Sequence, residues 1–278
     1  MAREHTEAAS GPDTVEERSA PGRRAPDRRG APTPGGRPRV FVEDGGSRRT
    51  LRVDGTYASV FRPGRIATGS VWDALAAPLL ALPPARRRRI LLLGLGGGSV
   101  ARIARALAPA ARIVGVELDP AVIAAARSHF ELDALELEIV QGDARAFLET
   151  ARDRFDAVID DVFVGAGRGV RKPAWLPAPG LVCAARLLAP GGLLVTNVID
   201  EAAEATRVLL ARFGAATRLS VEGYDNAVLV AGEGSPPEIA PRALRAAIAA
   251  DPVLAPTLRK LRLRALSATP PGTAARGG

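Results

Sequence analysis

The chain has 278 residues and a formal net charge of +8, from 38 Lys+Arg against 30 Asp+Glu; 47% is hydrophobic but only 4% aromatic. That length allows one large buried core. One cysteine, Cys183, excludes an intramolecular disulfide framework and any cysteine-cluster metal site, and with only His5 and His129 present a histidine metal site or triad would rest on His129 alone.

The charge is unevenly placed. Residues 1–39 carry eight Arg and six acids, residues 233–278 seven basic and three acidic side chains, and residues 40–232 are nearly balanced. A near-neutral centre argues against nucleic acid as a partner. No apolar run reaches eighteen residues, and the Arg-rich N-terminus has no apolar signal region. The expectation is a cytoplasmic protein with neither a membrane span nor a metal.

In chain order, residues 1–38 are rich in Pro, Gly and Arg and read as a disordered tail. Residues 39–68 read as a β-hairpin region: short strands at Val40–Val42, Thr50–Val53 and Thr56–Phe61, with glycine turns between them. Ser70–Ala81 reads as a helix, closed by Pro83 and Pro84. Strands and helices then alternate. Strands fall at Ile90–Leu93, Arg112–Val116, Leu135–Val140, Phe155–Ile159 and Gly192–Asn197. Helices fall at Ser99–Ala108, Pro120–Phe130, Ala144–Ala151, Leu181–Leu188 and Glu201–Phe213. Thr217–Val221 and Asn226–Val230 read as a closing hairpin. This alternation predicts an α/β domain over 69–232, with a Rossmann-like, seven-stranded, mostly parallel sheet covered by helices on both faces. Residues 233–278 are expected to add one or two amphipathic helices over 240–264 and a frayed tail.

The chemistry concentrates at strand ends. Leu93-Gly94-Leu95-Gly96-Gly97-Gly98-Ser99 follows the first parallel strand, where ligands of open α/β sheets bind. Glycine there allows close backbone approach to a ligand. Glu117 ends the second strand, 23 residues after Gly94, and a carboxylate there can accept from both ribose hydroxyls. The dinucleotide pattern would need glycine at Ser99, so that fingerprint is incomplete. Gly142-Asp143-Ala144 ends the third strand, with Asp143 placed to accept from an adenine amino group. Asp160-Asp161 ends the fourth. Asp119 reads as a helix cap, His129 as structural, the Arg86–Arg89 run as solvated surface, and Trp175, on the Gly165–Gly180 loop, as a candidate substrate contact.

These motifs resemble the spermidine synthase family, the polyamine aminopropyltransferases, within the S-adenosylmethionine-dependent methyltransferase superfold. The resemblance spans about residues 40–232. It rests on Gly94–Gly98, Val116-Glu117-Leu118-Asp119, Gly142-Asp143, Phe155-Asp156-Ala157-Val158-Ile159-Asp160-Asp161 and the leading hairpins, including Leu51-Arg52-Val53-Asp54-Gly55. It implies transfer of an aminopropyl group from decarboxylated S-adenosylmethionine to an amine acceptor, with Asp161 as the catalytic carboxylate. Gly94, Gly96, Gly97, Gly98, Glu117, Gly142, Asp143, Ala144 and Asp160 would line the nucleoside site. It also implies a small-molecule amine partner and raises a homodimer through the N-terminal sheet.

The chain departs from that pattern. The family's glycine loop carries an acid where Gly97 stands, the second acid of its D-x-x-D motif falls at Val164, and its polyamine-binding Tyr-His pair is replaced near Gly69-Ser70. A polycation wants several carboxylates, so ordinary S-adenosylmethionine as donor, with methyl transfer, is the alternative. A non-catalytic nucleoside-binding protein is a third.

Overall fold

The computed structural model describes residues 39–234 and 236–267. The expected tails, 1–38 and from 268 onward, lie outside the described residues.

The chain enters through a three-stranded antiparallel sheet of β1 (Val40–Asp44), β2 (Arg49–Val53) and β3 (Thr56–Phe61). Asp54 and Gly55 both take positive φ, +48° and +76°, as a tight hairpin turn between twisted strands requires. The sheet does not stand free. Leu51 and Phe61 pack with Val122 of a main-domain helix and with Phe130 at its end. Ser99 Oγ accepts from Val60 N (3.0 Å) and donates to Val60 O (2.9 Å), fixing β3 beside the glycine loop. The helix expected at Ser70–Ala81 forms as α1 (Val71–Ala76) followed by a 3-10 stretch over Ala77–Ala81. Pro78 has no N–H to continue the α-helical ladder.

The main domain runs β4 (Arg89–Leu93), α2 (Ser99–Leu107), β5 (Arg112–Glu117), α3 (Pro120–His129), β6 (Glu138–Gln141), α4 (Ala144–Thr150), β7 (Phe155–Asp160), α5 (Gly180–Ala185), β8 (Leu188–Val198), α6 (Ala202–Phe213), β9 (Ala215–Val221), β10 (Ala227–Gly232), α7 (Pro241–Ala250) and β11 (Leu261–Ser267). The sheet order is β11-β9-β10-β8-β7-β4-β5-β6. Strands β6, β5, β4, β7 and β8 are parallel, and β10, β9 and β11 join antiparallel. Apolar side chains cover both faces. Ile90 and Leu92 of β4 belong to the core with α1, α2 and α7, whereas Leu91 and Leu93 belong to the core with α5 and α6. That is why β4 reads as a continuous apolar run.

The expected Rossmann-like sheet is present with eight strands rather than seven. The additional one, β11, corrects the expectation of helix through residue 264. Leu261-Arg262-Leu263-Arg264-Ala265 alternates with period two, and Leu261 is buried while Arg262 and Arg264 are exposed. The helical expectation holds for α7 and for a 3-10 stretch over Ala255–Lys260. Among the described residues no helix is long and apolar enough to cross a membrane.

Candidate active site

The order of strands reverses between β4 and β7: the chain winds outward through β5 and β6, then returns to β7. This switch point juxtaposes Gly94 and Asp161. Asp161 N donates to Leu93 O (2.8 Å). A Cβ on Gly94 would lie 2.7 Å from Asp161 O, and φ there is +80°, so only glycine brings the two strand ends this close.

Glu117 closes the loop from the other side. Its Oε2 accepts from Gly96 N (2.9 Å) and its Oε1 from Asp119 N (3.1 Å). The carboxylate thus fixes the glycine turn as well as marking the β5 end. Ser59 of β3 takes the outer side of the loop, with Oγ accepting from Gly97 N (2.7 Å). A Cβ on Gly97 would come within 2.8 Å of Ser59 Cβ and 3.2 Å of Phe130 Cδ1. Ser59 and Phe130 therefore fill the space from which an acidic side chain at position 97 would start. Gly98 (φ +82°) precedes α2.

At the end of β6, Asp143 caps α4, its Oδ1 accepting from Arg145 N (2.6 Å) and Ala146 N (3.3 Å). Asp143 is exposed, Gly142 half-buried and Ala144 buried. Asp119 caps α3 as expected, accepting from Ala121 N (2.8 Å).

The two acids after β7 separate sharply. Asp160 is fully buried. Its Oδ2 accepts from Lys172 Nζ (2.7 Å) and Thr196 Oγ1 (2.6 Å), and its Oδ1 from Val162 N (3.0 Å). These protein donors occupy Asp160, in place of the nucleoside contact expected from sequence. Asp161 is only partly buried. Its Oδ1 accepts from Asn197 Nδ2 (2.7 Å) and its Oδ2 from Trp72 Nε1 (3.2 Å). Asn197 is itself held, since its Oδ1 accepts from Asn226 Nδ2 (3.0 Å). Loss of solvation pushes the Asp161 carboxyl up to about 6, against the lowering pull of the Asn197 bond, the Lys172 charge and the Trp72 bond; the neighbouring Asp160 adds to the rise. A carboxyl tuned that way is ionised at neutral pH yet basic enough to take a proton.

Several of these residues escaped sequence reading. Thr196 and Asn197 are polar residues inside the apolar run of β8, a signal that buried polar side chains have assigned partners. Lys172 is one of only two lysines, and its ammonium, 4.5 Å from the Phe163 ring centroid, also donates to Val162 O (2.9 Å). Trp72 is buried and holds Asp161 through its indole N–H, and Trp175 packs against Gly180 at the start of α5. His129 is exposed at the end of α3. Val164, where the family's second acid would stand, bridges to Arg171 at the neck of a loop and is 39% exposed.

A family model described as a methyltransferase domain matches residues 90–192. A polyamine aminopropyltransferase of Neisseria meningitidis is 29% identical over 228 residues, covering 77% of this chain and 84% of that protein. An eEF1A lysine and N-terminal methyltransferase homolog of Drosophila pseudoobscura pseudoobscura is 31% identical over 120 residues; these are 41% of this chain but span only 18% of that longer protein. A probable spermidine synthase from Corynebacterium glutamicum superposes with a TM-score of 0.62 at 22% identity, over 81% of this chain and 86% of that one. Fold and relatives together define a transferase of the S-adenosylmethionine-dependent methyltransferase fold. Within that class its relatives include both polyamine aminopropyltransferases and methyltransferases.

Proposed function

We propose that this protein alkylates an amine, using a sulfonium nucleoside as donor, and that the group transferred is aminopropyl from decarboxylated S-adenosylmethionine. The observation that carries the reading is the Asp161 carboxylate, held by Trp72 and Asn197, on a residue whose backbone abuts the Gly94 turn. In this reading Glu117 holds the ribose hydroxyls, Gly94–Gly98 and Gly142–Ala144 border the nucleoside, and Asp143 accepts from the adenine amino group through the oxygen that does not cap α4.

The donor nucleoside is a substrate, and the strand ends suit it. The glycine turn leaves backbone free of Cβ atoms, and carboxylates stand at the ends of two neighbouring strands. The acceptor amine must be neutral to attack. Asp161 binds and orients it and takes its proton as the C–N bond forms. The C–S bond breaks with its electron pair going to sulfur, and methylthioadenosine leaves. Because the sulfonium is already a good leaving group, positioning supplies most of the remaining acceleration.

Methyl transfer from S-adenosylmethionine is the second reading, favoured by one observation: Ser59 and Phe130 crowd the place of the family's loop acid. The two are separated by product. With putrescine and decarboxylated donor, the first reading gives methylthioadenosine and spermidine; with ordinary donor and an amine, the second gives S-adenosylhomocysteine. Neither product from either donor would remove the enzymatic assignment.

A further inference from the structure

We propose that the acceptor side of this site recognises a carboxylate on a substrate through Arg48. The inference rests on the sulfonium-nucleoside reading and adds the chemical class of what binds beside it.

Arg48 is half-buried just before β2. Its Nη2 donates to Tyr57 Oη, and its guanidinium carbon lies 5.6 Å from the Tyr57 ring centroid. Tyr57 leans on Trp72, with centroids 5.2 Å apart and planes at 40°, and Trp72 holds Asp161. A short chain of contacts therefore joins Arg48 to the catalytic carboxylate along one wall. Tyr224, on the β9–β10 turn, stands near the same wall. Burial and the neighbouring Tyr57 push its phenol up, while Ser70 and Arg48 pull it down.

The other arginines of this small sheet have acids. Arg49 pairs with Asp44 (3.0 Å) and Arg52 with Glu43 (2.8 Å). Among the described residues no carboxylate lies within ion-pair distance of Arg48. Its Nε is shielded from solvent and has no hydrogen-bond partner. The nearby buried acid, Asp73, is taken by Thr68 N (2.7 Å), Thr68 Oγ1 (2.6 Å) and Gly69 N (2.8 Å). A poorly solvated, uncompensated guanidinium calls for an anion, and its planar fork fits a carboxylate. The carboxylate has two sources: the amino-acid half of the donor, or an acceptor carrying both an amine and a carboxylate, with the aromatic wall packing against its stem.

Calorimetry separates them. Methylthioadenosine, decarboxylated S-adenosylmethionine and S-adenosylmethionine are titrated into wild type, Arg48→Met and Arg48→Lys. With methylthioadenosine bound, 4-aminobutyrate and putrescine are then titrated. A donor source predicts at least a tenfold loss of S-adenosylmethionine affinity in Arg48→Met, partly restored in Arg48→Lys, with methylthioadenosine unchanged. An acceptor source predicts unchanged donors and a comparable loss for 4-aminobutyrate alone. Equal binding of every probe by wild type and Arg48→Met overturns the proposal. Where Arg48→Met does not fold, wild type decides: no preference for S-adenosylmethionine over its decarboxylated form, and none for 4-aminobutyrate over putrescine, overturns it. Failure of wild type to bind methylthioadenosine refutes the nucleoside reading itself, a different result from loss of carboxylate preference.

Discussion

Replacing Lys172 by Met tests how the two adjacent acids divide their work. Both side chains of the Lys172–Asp160 pair are 0% exposed at a separation of 2.7 Å. Removing the ammonium leaves Asp160 charged, buried and short of one donor, although Thr196 and Val162 N still hold it. Breaking such a pair from one side costs about 3–5 kcal/mol, and the two remaining bonds place the expectation near the lower end. For a domain of this size about 3 kcal/mol corresponds to a fall in Tm of roughly 6–12 °C. The assay is urea and thermal unfolding at pH 7.5, on Lys172→Met and on the double variant Asp160→Asn/Lys172→Met. The double variant removes the stranded charge and is expected to recover at least half of the loss. The same substitution removes a positive charge that lowers the Asp161 carboxyl, so the acidic limb of the rate profile moves above pH 6. A loss below about 1 kcal/mol, or a double variant no better than the single, refutes the view that Lys172 and Asp160 form a buried scaffold beneath Asp161.

Further outcomes follow from the same geometry. Asp161→Asn turns an amide N–H₂ toward Trp72 or Asn197, both already donors, and is expected to lower kcat by about 10²–10⁴ while methylthioadenosine affinity stays within a few fold. In wild type, activity rises with pH through a midpoint near 6 as Asp161 ionises. The stability effect has the opposite sign: a folded value of about 6 against 3.8 favours the folded state most below pH 3.8. That contribution, at most about 3 kcal/mol, is lost as pH rises through 6, and unfolding measured from pH 4 to 8 in wild type and Asp161→Ala checks it. Glu117→Ala removes the acceptor of Gly96 N together with the proposed ribose acceptor, so methylthioadenosine affinity is expected to fall at least tenfold in calorimetry. Gly97→Asp, which restores the family's acid, is expected to destabilise by about 1–3 kcal/mol through overpacking against Ser59 and Phe130; Ser59→Gly in the same chain relieves part of it in denaturant unfolding.

Much of the fold was legible because its signals are local. The apolar runs of β4 and β7, the glycine turn after β4, and the acid at the end of β5 each announce an element or a strand end within a few residues. The last strand is not legible as strand, because a short Arg-rich stretch after a helical pattern fits a helix's polar face unless the spacing of two between Arg262 and Arg264 is given weight. The site divides the same way. Glu117, Asp143 and Asp161 could be placed at strand ends from the sequence pattern, whereas the roles given them came from the family resemblance. The different fates of Asp160 and Asp161 could not, since they depend on Lys172, twelve residues later, and on Thr196 and Asn197, side by side on β8. Adjacent residues on a strand point to opposite faces, so Thr196 meets Asp160 while Asn197 meets Asp161. Ser59 and Arg48 were invisible for another reason: only the packing of the small sheet onto α2 and α3 brings them to the glycine loop and the aromatic wall.

The central claim is that a sulfonium nucleoside bound at Gly94–Gly98 and Glu117 alkylates an amine held by Asp161. It is tested most directly by mass spectrometry of a single-turnover mixture containing wild type or Asp161→Asn, donor labelled in the transferable group, and putrescine. The account predicts that label appears on amine nitrogen with wild type, with one nucleoside thioether released per transfer, and that Asp161→Asn binds the donor but leaves the label on it. Donor bound by wild type with no label moved, or label moved equally by Asp161→Asn, would contradict it.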